Sequence, residues 1–141
     1  MTSDAVLFSI RPKYAKKIFD GSKTIELRKI KPKRLKKGGL VLVYVSSPVK
    51  SLIGAFKVKQ IEEYSLDEMW GKVRKDAGIS KVEFDEYYQN STSGIAIYID
   101  NAWTLPEPIK LSTLRDSMEG FYPPQSFRYT SLKYLSEPIL S

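Results

Sequence analysis

Leu40-Val-Leu-Val-Tyr-Val-Ser46 is apolar on both parities, and a strand of that kind is stable only where both of its faces are covered. The rest of the 141-residue chain must therefore wrap two sides of it. At this length folding buries roughly 68% of the surface the unfolded chain exposes, enough for a core without staples. Ala5 to Ile10 reads as a second short buried strand. Pro12 then suits a first helical position, Tyr14, Ala15, Ile18 and Phe19 form an apolar stripe, and Gly21 stops a helix of about two turns. Thr24 to Lys29 alternates, with Ile25 and Leu27 on one face and Glu26 and Arg28 on the other. Ile30 to Gly39 is an exposed basic loop, and Leu52 to Tyr64 a long strand.

Two helices carry start signals. Ser65-Leu-Asp-Glu68 and Ser80-Lys-Val-Glu83 are each capping boxes, with Tyr64 and Met69, then Ile79 and Phe84, at staple spacing. Leu66, Met69, Trp70, Val73, Phe84, Tyr87 and Tyr88 are assigned to the core by helical spacing. Gly94 to Leu105 is a strand, followed by a Ser112-capped turn, a stop at Pro123-Pro124 and a Tyr/Phe-rich closing segment. The order β-α-β-β-β-α-α-β and a tail, with no repeat or linker, predicts one α+β domain over residues 1–141. Its expected form is a small, mixed, partly closed β-barrel with peripheral helices rather than a doubly wound sheet.

There is no Cys and no His, which removes disulfides, thiolate nucleophiles, the commonest metal ligand and the commonest general base. No metal and no cofactor are expected; any catalysis falls to Lys, Glu, Asp, Tyr or Ser. No apolar run approaches the ~18 residues of a membrane span, and no secretory signal pattern opens the chain. The expectation is a soluble cytoplasmic protein with no membrane partner.

The charge is uneven. Residues 1–37 hold twelve Lys and Arg against three acids, while the other 104 residues hold eleven bases and thirteen acids. Clustered cations displace condensed counterions from phosphates, so the asymmetry points to a polyanion partner, with a merely solvated face as the alternative. Lys29, Lys31, Lys33, Arg34, Lys36 and Lys37 are the candidate phosphate contacts, which need charge and carry no sequence preference.

The stretch Gly21-Ser-Lys23-Thr-Ile-Glu26-Leu-Arg28 holds the densest chemistry. Glu26 and Arg28 share a strand face; Lys23, of opposite parity, sits beside the turn and has a stem long enough to reach around. An acid between two cations can keep a depressed pKa, or can aim the cations at a phosphate while accepting from a base or ribose. It can equally be a surface ion-pair cluster on an edge strand.

This G-x-K-x-x-E-x-R form resembles the signature of the ASCH domain, a family of the PUA-like superfamily of small β-barrels tied to RNA and modified nucleotides. Leu7 to Gly21 is similar to the family's opening strand and helix, and Val43-Tyr-Val-Ser-Ser-Pro48 with Ile53-Gly-Ala-Phe56 to its next hairpin. The paired helices, the Ile95 to Ile99 strand and Pro123-Pro-Gln-Ser-Phe-Arg128 resemble a subgroup labelled transcriptional regulators. The resemblance implies a PUA-like barrel with a cleft floored by Gly21, Lys23, Glu26 and Arg28. Some ASCH-like proteins cleave RNA or deacylate modified cytidine; in the deacylating relatives a Thr stands where Glu26 stands here.

Tyr44 and Ser46, on one parity of their strand, can line the same cleft, or Tyr44 can belong to the core. Gln125, Ser126 and Arg128 follow a rigid double proline and either meet a base edge or seal the barrel end. The leading expectation is a non-catalytic domain that binds RNA or a modified, unstacked nucleotide, since no recognition helix for duplex DNA is present. The alternative is a hydrolase acting on RNA or a modified nucleoside, with Lys23 and Glu26 as charge stabiliser and acid/base. A third is a small-molecule sensor that regulates transcription through a protein partner.

Overall fold

The computed structural model describes residues 4–118 and 120–131. Ten elements follow in order: β1 (Asp4–Ile10), α1 (Pro12–Phe19), β2 (Ile25–Arg28), β3 (Leu40–Val45), β4 (Ser51–Ser65), α2 (Leu66–Val73), α3 (Lys81–Tyr87), β5 (Ser93–Lys110), α4 (Leu111–Ser117) and β6 (Phe127–Ser131). The six strands form one sheet in the order β2-β5-β4-β3-β1-β6. Only the β1–β3 pairing is parallel, with Val6 opposite Val41; the others are antiparallel.

The sheet is mixed, as expected, but it is not a closed barrel. β2 and β6 are its two edges, and among the described residues no ladder joins them. Register shifts in β4 and β5 bend the long hairpin, because each bulge adds local twist. The shift between Leu52 and Gly54 skips residues 105–108 of β5. Pro106 and Pro108, which cannot donate to a ladder, fall inside it.

β3 divides the core as its two-sided apolar pattern requires. Val41, Val43 and Val45 pack with Phe8, Phe56, Ile97 and the Ala15 and Ile18 stripe of α1. Leu42 and Tyr44 pack on the other side with Leu7, Leu52, Leu114 of α4 and Phe121. A third cluster joins Ile25 and Leu27 of β2 to Met69, Val73, Ala77, Phe84 and Tyr88 of the α2–α3 pair. Leu35, buried with the α1-side core, anchors the basic loop at its middle.

Three local expectations change. Ser80 and Glu83 form a reciprocal capping box, but Ser65 makes no side-chain cap. Ser65 is still paired with Ser93 as the last residue of β4, and the Leu66 N–H bonds the Thr92 carbonyl instead. Ser112 likewise caps nothing: α4 starts at Leu111, whose N–H bonds the Lys50 carbonyl. The closing segment supplies β6, paired antiparallel with β1; its portion beyond residue 131 lies outside the described residues.

Candidate nucleotide-binding cleft

The floor begins where α1 ends. Gly21 adopts φ +87°, a left-handed conformation that costs glycine little, and the Lys23 N–H returns to the Lys17 carbonyl at 2.9 Å. Asp20 closes the turn by accepting from the Ser22 N–H at 2.8 Å and hydroxyl at 2.6 Å. Main-chain N–H groups of Thr24 and Ile25 both bond the Asp76 carbonyl, which fixes the start of β2 against the α2–α3 connection.

That connection explains how Lys23 reaches the opposite face. Its stem lies against Gly78, where a Cβ would sit 2.9 Å from the Lys23 Cβ. Its ammonium donates to the Ala77 carbonyl at 2.5 Å and stands 3.6 Å from Glu26 Oε1. The other Glu26 oxygen accepts from Arg28 Nε at 2.9 Å and pairs with Nη2 at 2.8 Å. Lys23, Glu26 and Arg28 are 3, 6 and 8% exposed, so this is a buried, bonded triad rather than a surface ion-pair cluster. Burial lowers the Lys23 pKa, and the neighbouring Glu26 carboxylate opposes that shift.

Arg28 also spans the gap in the sheet. Its Nη1 donates to the Ser126 carbonyl at 3.2 Å, its Nη2 lies 3.5 Å from the Ser9 carbonyl, and its guanidinium stacks 4.0 Å from the Phe8 ring centroid. Above this floor lies a cleft of about 840 Å³, within the range of small-ligand sites. One wall is Ser9 to Arg11 with Tyr14, another Ile79, Glu83, Glu86 and Tyr87 of α3 and its approach, and a third Gln125 to Phe127. The first two walls are tied together: the Tyr14 hydroxyl donates a short hydrogen bond to Glu83, and Lys13 pairs with the same oxygen at 2.9 Å. These bonds hold the Glu83 carboxyl well below the usual carboxylate range. Burial and Glu83 together push the Tyr14 hydroxyl up to about 12.

Of the residues singled out by the sequence, Lys23, Glu26, Arg28, Lys29, Gln125 and Ser126 line the cleft. Gly21 shapes the turn beneath it. Tyr44, 2% exposed, belongs to the core on the far side of the sheet, its pKa raised by burial. Ser46 follows β3 half-buried, its N–H bonded to the Ile10 carbonyl, off the cleft lining. Arg128 stacks near Phe121 and Tyr122 and donates to the Tyr122 carbonyl at 3.2 Å, also off the lining. In the basic loop Lys33, Lys36 and Lys37 are exposed, Lys31 bonds loop carbonyls, and Arg34 stacks 3.7 Å over the Tyr129 ring. Tyr14, Glu83, Glu86 and Tyr87 are cleft residues that sequence reasoning missed; helical spacing sent both tyrosines to the core. Among the described residues, no group of three or more acids is placed to hold a metal ion.

Residues 8–115 match the family model described as the ASCH domain. The chain belongs to the ASCH domain family. The ASCH domain-containing ribonuclease of Zymomonas mobilis is 27% identical over 123 residues, which cover 87% of this chain and 82% of that protein. The crystal structure of ASCH from Zymomonas mobilis matches this ASCH domain with a TM-score of 0.87 and 25% identity, covering 94% of this chain and 91% of that one. Large ribosomal subunit protein uL22 of Ureaplasma parvum serovar 3 is 33% identical over 112 residues, 79% of this chain; the chain spans 35% of that protein's length. The N-terminal domain of Staphylothermus marinus McrB shares the fold alone, with a TM-score of 0.56 at 17% identity over 82% of this chain and 81% of that one. None of these names is that of a transcriptional regulator, so family membership stands without the subgroup assignment. No helix among the described residues is long and apolar enough to cross a membrane.

Proposed function

We propose that this ASCH domain binds single-stranded RNA by drawing one unstacked nucleotide into the cleft. The observation that carries the reading is the convergence of Lys23, Glu26 and Arg28, each held by its neighbours, on the floor of one cavity of nucleotide size. Such a floor is preorganised, so little side-chain freedom is lost on binding. Arg11 and Lys29 are exposed cations on the lining, suited to the phosphates on either side of the seated nucleotide, and the exposed lysines of the basic loop suit the strand beyond it. A small cleft favours single-stranded RNA, whose bases splay out of the stack, over a duplex.

A second reading, cleavage of the bound RNA, is favoured by the name of the Zymomonas mobilis relative and by the place of the Glu26 carboxylate between Lys23 and Arg28 on the cleft floor. In that chemistry the Glu26 carboxylate takes the proton of a ribose 2′-hydroxyl as that oxygen attacks the adjacent phosphorus. The bond to the 5′-oxygen breaks, that oxygen takes the proton back from Glu26, and a 2′,3′-cyclic phosphate and a 5′-hydroxyl are left. Lys23, with Arg28 beside it, offsets the charge that builds on the phosphoryl oxygens.

The test uses a 5′-labelled single-stranded RNA with the intact protein and the Glu26→Gln variant. Binding without product, weakened by Glu26→Gln within the ~1 to 3 kcal/mol of a specific contact, supports the first reading. Product formation that Glu26→Gln lowers about 100-fold or more while the RNA stays bound establishes the second. Affinity no greater than for a duplex of equal charge overturns both.

A further inference from the structure

Three carboxylates line the cleft, and two of them are committed. Glu26 is held by Lys23 and Arg28. Glu83 is held by Tyr14, Lys13 and the Ser80 N–H. The Glu86 carboxylate, exposed on the same lining, makes no hydrogen bond or ion pair with any described residue. Beside it, Tyr87 is 38% exposed and Ile30 72% exposed, both facing the cleft. The Tyr87 ring is not loose: it stands edge-on to the buried Tyr88, with centroids 4.8 Å apart and planes at 73°, and the ammonium of the exposed Lys29 side chain lies over it, 4.9 Å from the centroid. From the wall formed by residues 125–127, the exposed Gln125 side chain adds an amide that likewise makes no bond with any described residue. A wet rim that holds two apolar surfaces, a spare acceptor and a spare amide has the composition of a base-recognition site.

We propose that Glu86, with Tyr87 and Gln125, makes the cleft selective for guanine in single-stranded RNA. The inference rests on the RNA-binding reading and names its substrate class. An ionised carboxylate offers acceptors only. On its Watson–Crick edge guanine presents two parallel donors, N1–H and the N2 amino group, which match the two oxygens of one carboxylate. Adenine and cytosine each present a single amino donor beside an unprotonated ring nitrogen that repels the second oxygen. Uracil presents one N–H between two carbonyls, both repelled. As the Lys29 ammonium moves from the Tyr87 ring to a phosphate, Tyr87 supplies a stacking surface that tolerates any base, and the Gln125 amide N–H serves the remaining acceptors, O6 or N7. Selectivity therefore resides in Glu86 and general affinity in Tyr87.

The experiment measures fluorescence anisotropy with labelled octauridylate and with the same oligomer carrying one central G, A, C or inosine, all at one salt concentration. Equal charge keeps the phosphate contribution constant. The G oligomer is expected to bind about 10-fold tighter than the A, C and U oligomers, the scale of one bidentate base contact. Inosine, which keeps N1–H and lacks the amino group, is expected between G and U. Glu86→Gln, checked for folding by its thermal transition, should bring the G-to-U affinity ratio close to one. Tyr87→Leu should weaken all the oligomers together and leave the ratio. Binding of every oligomer with no G preference, or a preference that survives Glu86→Gln, overturns this inference and leaves RNA binding standing. No binding of any oligomer overturns the RNA reading itself.

Discussion

The Arg28 guanidinium donates to the Ser126 carbonyl at 3.2 Å across 98 residues of sequence, so edge strand β2 reaches the residue that leads into β6, the other edge, through a side chain where a barrel would have a ladder. The same guanidinium holds Glu26 through Nε and Nη2, and the donors serving structure also shape the cleft floor.

Removing that side chain should therefore be costly. Arg28→Ala leaves the Glu26 carboxylate buried with only the more distant Lys23 for company, and loss of one partner of a buried pair costs about 3 to 5 kcal/mol. Urea denaturation should show this as a lower midpoint. Arg28→Lys keeps the charge without the fork that bonds both edges, and should fall between wild type and Arg28→Ala. Equal midpoints for all three proteins would refute the bridging role.

Salt dependence reports on the basic loop. Lys33, Lys36 and Lys37 are exposed, and each phosphate neutralised on a single strand contributes about −0.7 to the log-log slope of affinity against salt. The triple Gln variant should flatten that slope by about 2 and weaken all RNA sequences alike. An unchanged slope in a titration from low to moderate salt would remove the loop from the interface.

Proton linkage should be visible at Lys23, whose pKa is lowered by burial from the ordinary 10.5. Between the lowered value and 10.5 the unfolded chain binds more protons at this site than the folded one, so its contribution to stability rises with pH there. Comparison with Lys23→Met isolates this from the tyrosines, which titrate in both proteins. Wild type should gain stability relative to Lys23→Met as pH rises through that window; a gap that is flat or narrows in favour of the variant would contradict the assignment.

Two glycines should respond oppositely to alanine. A Cβ on Gly54 would lie 2.2 Å from the Trp103 carbonyl oxygen and 2.8 Å from the Phe19 ring, so Gly54→Ala should destabilise by about 1 to 3 kcal/mol or more. Gly71, inside α2, has nothing within 4 Å of that position. Gly71→Ala should stabilise by about 0.5 to 1 kcal/mol. Thermal melts of the two variants check both signs.

Alternation made the β2 face legible: Ile25 and Leu27 go to one cluster, Glu26 and Arg28 to the cleft. The two-sided β3 was legible for the same reason. Parity says that Tyr44 and Val43 face opposite ways, but not which way the cleft lies, and Tyr44 is on the far side. Helical spacing likewise groups Tyr87 with Tyr88 without saying that the α3 stripe runs out at the cleft rim, leaving only Tyr88 enclosed. The link from Arg28 to Ser126 depends on how far the bulged β4–β5 hairpin bends the sheet, which no local window records. The unformed cap at Ser65 has the same origin, since the strand partner of Ser65 lies 28 residues away at Ser93.

The cleft exists because the sheet stops short of closing, and that gives the fold a division of labour a redesign can use. Pairing β2 directly with β6 would yield a tidier barrel and erase the cavity. The octet from Gly21 to Arg28 is thus poor ground for altering selectivity, since a change there disturbs the closure and the floor together. α3 and residues 125–127 face the same space while carrying little of that closure apart from the Ser126 main chain and the Glu83 tie. On the proposed reading, new base preferences would therefore come from substitution at Glu86, Tyr87 and Gln125, with the seam left untouched.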